Sequence, residues 1–428
     1  MATNGSTERK TAVTTEAMTL RSSTEGRSRK AVLVSLALGT ALAAMVATAG
    51  TVRQAEAAIT DTMVFVSNRT TGTGVDNPTG DYEIFRMNPD GSGAKQLTSN
   101  AGNDIEPTLS PDGTKIAYQS EGIQASNPEG DAEVYVMSAL DGSAKKNLTN
   151  NGSGVGDYDP SFSPNGTKLA YESYGGQTSN PEGDAEVYSM NTVDGKGKKN
   201  LSNNGLSVHD RSAVFFPDGT KIAYVSIGIQ TSNSQGDEEI YRMNALDGSA
   251  KRNLSNNGLA VDDYSLVLSP NGTRIAYTSQ GKQTSNPEGD PEVYRMGALD
   301  GTGKRNLTNN GLYVYDYEAD FSPNGTVVSF VSVGGQTSNL DGDKEIYRMN
   351  VADGTGQTNL TNNDANTNDS IPVFSPDGMT ISYVSAGAQV SNPEGDFEVY
   401  RMNALDGSGQ TNLTNNLATD GIFVISRR

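Results

Sequence analysis

Seven short acidic segments carry the residues of this chain best suited to chemistry. The motif Asn-Pro-Glu-Gly-Asp-x-Glu stands at 127–133, 180–186, 286–292 and 392–398, with variants at 77–83, 233–239 and 339–345. Gly-Asp and the second Glu recur in every copy, which sets out Asp81, Asp131, Asp184, Asp237, Asp290, Asp343 and Asp396. Asn, Asp and Glu at alternate positions offer the hard oxygen ligands that Ca²⁺ takes. Asn180, Glu182, Asp184, Glu186 and their equivalents are therefore a candidate calcium set. A second reading uses the same residues without metal: the Asp closes an Asx-turn and the Glu hydrogen-bonds a neighbouring segment at the start of its strand. No closing Glu stands at the twelfth position of an EF-hand loop.

A second series, Asp104, Asp157, Asp210, Asp263, Asp316, Asp369 and Asp420, repeats with the same spacing up to its last member. Each opens a short alternating stretch. They are candidates for an acidic ring around a channel mouth, or for capping of backbone amides at strand starts. Both series together make an acidic candidate binding rim.

Other chemistries lack parts. His209 is the one histidine and cysteine is absent, so His-based triads, His-rich metal sites and thiol nucleophiles have too few members. His209 occurs in one repeat and reads as a surface loop residue. No Gly-x-Ser-x-Gly elbow is present. A glycosidase using only carboxylates stays open, but the near-identity of the acidic segments gives no pair that stands apart.

The elements that position these residues follow from a 53-residue period. Ser-Pro-Asp/Asn-Gly begins at Ser110, Ser163, Ser269, Ser322 and Ser375, and Phe-Pro-Asp-Gly at Phe216. Pro presets φ and Gly supplies a positive φ, so each is a tight turn. Residues 157–205 read as four strands: one before Pro164-Asn165-Gly166, one over 168–173, one over 186–190 after a long loop, and one at 199–202 after Asp194-Gly195. Four antiparallel strands per period make a propeller blade. The N-terminal repeat lacks its first strand, and a spare copy, residues 421–426, closes the chain. The expected fold is all-β: a seven-bladed propeller whose ring closes by pairing of the C-terminal strand with the N-terminal blade.

The same residues carry a resemblance. Asp104 to Tyr118, Glu133 to Met137, Asp141-Gly142 and Asn147 to Thr149 resemble the TolB-like propeller repeat, a relative of WD-type repeats, and the match recurs around the ring over 60–428. The resemblance implies the fold, and propellers host many activities. Two departures stand out. The family's namesake resembles a six-bladed propeller behind an α/β domain, whereas seven blades behind a leader are counted here. The repeat is also long, and its excess lies in the loop between second and third strands.

That loop shares one rim with the links between blades. The Ser-Pro-Asp-Gly and Asp-Gly turns share the other rim and read as structural. A binding surface is expected on the long-loop rim, which holds the length and most of the acid.

Residues 1–57 differ from the rest. Arg27, Arg29 and Lys30 precede an apolar run, 31–50, and a small-x-small pattern, Ala55-Glu56-Ala57. This reads as a signal peptide cut after Ala57, with 58–428 exported to the periplasm, the cell envelope or the medium. Residues 58–428 hold 25 Lys/Arg and 47 Asp/Glu, a net of −22. That balance disfavours nucleic acid and anionic membranes as partners and favours cations or basic ones. The expected protein is a monomeric, non-enzymatic scaffold for a protein or cell-envelope polymer. Its alternatives are a calcium-stabilised surface protein and a carboxylate-based carbohydrate-active enzyme.

Overall fold

The computed structural model describes residues 62–363 and 366–425. The expected leader and its cleavage point lie outside the described residues. The described residues form one compact unit.

Seven four-stranded antiparallel sheets follow one another. Blades 2 to 7 begin at Asp104, Gly156, His209, Asp262, Tyr315 and Asn368, and each runs through its four strands in chain order. Blade 1 takes Met63–Ser67, Glu83–Met87 and Lys95–Gln96 and borrows Asp420–Ile425 as its first strand. Met63 pairs with Ile425 and Ser67 with Asp420. The first strands of successive blades touch, and the borrowed strand touches that of blade 2. They therefore line a central channel and the ring is closed, as the split repeat predicts.

The second and third strands hold each blade together because their alternation puts large side chains on both buried faces. Tyr171 faces Tyr188 in register, with ring centroids 5.7 Å apart. The same tilted pair recurs in every blade, as Phe65–Phe85 in the first and Phe330–Tyr347 in the sixth. The core is not inside blades alone. Ala117, Val134 and Leu148 of blade 2 pack on Phe162, Leu169 and Met190 of blade 3. Each blade thus completes its neighbour's core, as a closed ring requires.

Two devices shape the rims. On the turn rim, Gly195 has φ 68° and abuts the Leu148 carbonyl of the preceding blade. Any Cβ there would collide with it, so the Asp-Gly tips pack only as glycine. On the channel side, each first strand of blades 2 to 7 carries a bulge. Glu106, Asp159, Ser212, Ser265, Glu318 and Ile371 sit there at φ 50–54°, and the pairing register shifts at the same place. A bulge re-aims side chains, here into the channel.

Candidate functional site

The long-loop rim is built from the Asn of each acidic motif. Asn180 Oδ1 accepts from Gly183 N at 3.1 Å, and its Nδ2 donates to the Asp184 carbonyl at 2.6 Å. Equivalent bonds hold Asn77, Asn127, Asn233, Asn286, Asn339 and Asn392. The Asn side chain is spent on the turn.

The aspartates that follow face the link into the next blade. Asp184 Oδ2 accepts from Val208 N at 3.3 Å and Asp343 Oδ2 from Thr367 N at 3.2 Å. Asp290 lies beside the Tyr313 and Val314 amides, and Asp237 beside those of Val261 and Ala260, while burial pushes both carboxyls up. One oxygen each of Asp81 and Asp396, and both of Asp131, are buried without a hydrogen-bond partner. Glu182 stays exposed. Asn180, Glu182, Asp184 and Glu186 therefore do not converge. In blade 6 the shorter Asp341 replaces that Glu. There Asp341, Asp343 and Glu345 bring carboxylate oxygens within 4.8 Å of one another.

The second Glu of the motif meets the other aspartate series across each blade interface. Glu133 ends blade 2's long loop; its Oε1 accepts from Asn151 N at 2.7 Å and its Oε2 from the Thr149 hydroxyl. Asn151 in turn donates to Asp157, which opens blade 3. Asp157 N donates to the Ala132 carbonyl at 2.8 Å, and the Ser173 hydroxyl lies by its carboxylate. Gln177 Nε2 holds Ser173 Oγ at 2.8 Å. The set repeats around Asp104, Asp210, Asp263, Asp316 and Asp369.

All these aspartates are fully buried, between blades rather than around an open mouth. Burial pushes Asp210 up to about 8, Asp157, Asp263 and Asp369 to about 7, and Asp104 and Asp316 to about 6. Their glutamates follow. Burial first, with the paired aspartate adding, takes Glu83, Glu292, Glu345 and Glu398 to about 8.

The closing interface differs. No glutamine holds Ser67. Arg69 donates through Nε to Ser67 Oγ at 2.8 Å and through Nη2 to both Asp420 oxygens at 2.9 Å. Its guanidinium carbon lies 4.9 Å from the Phe85 ring centroid, a cation–π position.

The channel wall departs most from sevenfold likeness. Blades 2 to 4 turn Glu106, Asp159, Glu172 and Arg211 toward one another. Burial, then the charge of Asp159, pushes Glu172 up to about 7, and Arg211 opposes the rise. Next to it around the ring, where blades 7, 1 and 2 meet, Val66, Tyr82, Ile105, Ile371, Val384 and Phe397 line an apolar hollow of about 430 Å³. Sequence reading passed over both. The signal available was the odd residue: Glu172 occupies a position where the other blades carry Val66, Gln119, Val225, Thr278, Val331 and Val384. His209 is also not a loop residue. It opens the first strand of blade 4 and its Nδ1 accepts from Ala185 N at 3.2 Å.

No family model matches this chain. A Tol-Pal system protein TolB from Francisella tularensis is 28% identical over 255 residues, covering 59% of this chain and 50% of the relative. A protein TolB homolog from Chlorobium luteolum is 29% identical over 164 residues, covering 38% and 31%. The blades are TolB-like propeller repeats. The chain spans half or less of the length of these curated relatives. Among solved structures, an oligogalacturonate lyase from Vibrio parahaemolyticus superposes with a TM-score of 0.52 at 14% identity, covering 71% of this chain and 80% of that one. A prolyl endopeptidase gives 0.56 at 11%, covering 86% and 52%. At such identities the likeness is one of fold alone.

Proposed function

We propose that the propeller is an exported, non-enzymatic binding module, periplasmic or secreted. Its long-loop rim engages a protein or a cell-envelope polymer, and the propeller acts as a monomer with no cofactor. The observation that carries this is the crest of that rim. Glu129, Glu182, Glu288 and Glu394 stand exposed at equivalent points. Beside them Ile123, Ile229, Leu340 and Val390 are at least 76% exposed. Acid and aliphatic groups presented together suit a basic partner surface dotted with apolar side chains. The relative named for the Tol-Pal system supports a cell-envelope setting. The test is capture of partners from cell-envelope extract by the wild type and by a Glu129→Lys, Glu182→Lys, Glu288→Lys, Glu394→Lys variant. Loss of the captured species in the variant is expected; retention of every species overturns the reading.

A second reading has its own observation. The converging carboxylates of Asp341, Asp343 and Glu345 supply oxygen ligands of the kind Ca²⁺ takes, which favours a propeller steadied by calcium at blade 6. The buried interface carboxylates are read here as part of the scaffold, and the crest as the surface that binds.

A further inference from the structure

The turn rim holds a set of arginines that outnumber the carboxylates beside them. In blade 4, Arg242 stands directly opposite Arg252 on the neighbouring strand; in blade 5, Arg295 stands opposite Arg305. Like charges in that relation destabilise a sheet. Arg274 adds a third charge beside Arg295, and Arg348 continues the series into blade 6. The ion pairs of the described residues, Arg69–Asp420, Lys196–Asp194 and Arg211–Glu238, include none of these arginines.

Nor are the side chains loose. Arg242 Nε donates to the Leu299 carbonyl at 2.7 Å, Arg295 Nη2 to that of Ala352 at 2.9 Å and Arg348 Nη1 to that of Ala404 at 2.8 Å. Arg252 and Arg305 donate to the Asp300 and Asp353 carbonyls, each at 3.1 Å. The guanidiniums are pinned beneath the next blade's turn tip through carbonyls rather than carboxylates. The nearest carboxylates, Asp300 and Asp353, lie within charge range of Arg242, Arg252, Arg295 and Arg305 without forming an ion pair, and are outnumbered by them two to one. The turns beginning at Ser269 and Ser322 carry Asn271 and Asn324, whereas those at Phe216 and Ser375 carry Asp218 and Asp377, so the turns of blades 5 and 6 add no acid.

Above the arginines stand aliphatic side chains that nothing covers. Leu246 is 86% exposed, Leu299 54% and Leu405 70%. They occupy one position of the repeat, 53 residues apart or a multiple of it. Equivalent positions of a closed ring lie in one plane. Met379, 70% exposed, joins them from the neighbouring turn.

Going beyond the binding role given to the opposite rim, we propose that the turn rim of blades 4 to 7 docks on an anionic phospholipid surface, its aliphatic tips entering the interface and its arginines meeting the phosphates. Coplanarity favours a bilayer over a single polymer strand, which would run along a groove and leave the tips idle. The overall charge does not oppose this contact. The long-loop acids lie a strand length away, about 20 Å, beyond the Debye length of about 8 Å at physiological salt.

The test is co-sedimentation of residues 56–428 with vesicles of phosphatidylcholine, alone or mixed with phosphatidylglycerol, without calcium. Binding only to the mixed vesicles, lost at high salt, is expected. Arg252→Glu with Arg305→Glu should weaken it about tenfold or more, since each basic residue near such a surface contributes about 1 kcal/mol. Leu246→Asp with Leu299→Asp should weaken it too, with circular dichroism unchanged. Equal binding to both vesicles, no binding, or indifference to the arginine changes overturns the proposal. So does wild-type binding to soluble polyaspartate in which the leucine pair matters neither there nor on vesicles, because the rim would then be a polyanion site.

Discussion

The two rims of this ring are made by one repeat and treat charge in opposite ways. On the long-loop side, carboxylates that cannot reach water are shared between blades: Glu133 with Thr149, Asp157 with Asn151, Asp420 with Arg69. On the turn side, arginines lie against carbonyls and outnumber the carboxylates near them. Buried polar groups serve as mortar through the partners that meet them. Charges left outside such a network remain free for a ligand. Acid abundance on one rim is therefore a poor guide to where binding takes place, because much of it is inside.

The sharpest break in that comparison is Arg69. Changing it to Ala leaves Asp420 buried without its counter-charge, held only by Asn416, which costs about 3–5 kcal/mol; denaturant unfolding should show it. The same measurement on Gln177→Ala, which removes only a neutral member of the network, should lose about 1 kcal/mol. Equal losses would mean that the closing interface is no different from the rest.

The next largest effect is that of pH. The interface carboxylates hold protons in the fold where the unfolded chain has released them. The stability they contribute is fully present below their ordinary range, about 4, and is lost as pH rises through about 6 to 8. The unfolding midpoint in denaturant should accordingly fall between about pH 5 and about pH 8.5. In Asp210→Asn, which has no proton to lose at that site, the fall should be shallower. A midpoint that stays level over this range would show that the interface carboxylates are ionised throughout.

Calcium gives a smaller effect, confined to one blade. If Asp341, Asp343 and Glu345 hold it, a hundredfold excess over Kd adds about 2.7 kcal/mol, and Asp341→Asn abolishes the gain. A calcium-induced rise in melting temperature that survives this change would point away from the blade 6 loop. The smallest effect belongs to the turn rim. Leu246→Asp should change stability by no more than about 0.5 kcal/mol, since that side chain packs on nothing.

Much of the fold was legible because the turn residues repeat. Pro and Gly mark the same corners in each period, and the missing first strand of blade 1 has its counterpart at the other end of the chain. The site was legible only in part. Asp157 and Glu133 stood out as recurring acids, but their partners, Asn151 and Thr149, gain meaning only when one blade is set against the next. Glu172 and Arg211 were hidden for another reason. A periodic reading averages the blades, and the channel's character lies in where they differ. The opposed pairs Arg242–Arg252 and Arg295–Arg305 were invisible until register placed them across from each other.

The borrowed strand also has a consequence in time. Blade 1 is finished only by Asp420–Ile425, a strand synthesised after all six other blades. Until those residues arrive, Met63–Ser67 presents an unpaired edge and the interface around Arg69 has no carboxylate to hold. The ring cannot close until blades 2 to 7 have all been made. Completion of the fold therefore waits on the far side of the repeat array: a chain interrupted before Asp420 leaves an open, sticky crescent for quality control to find.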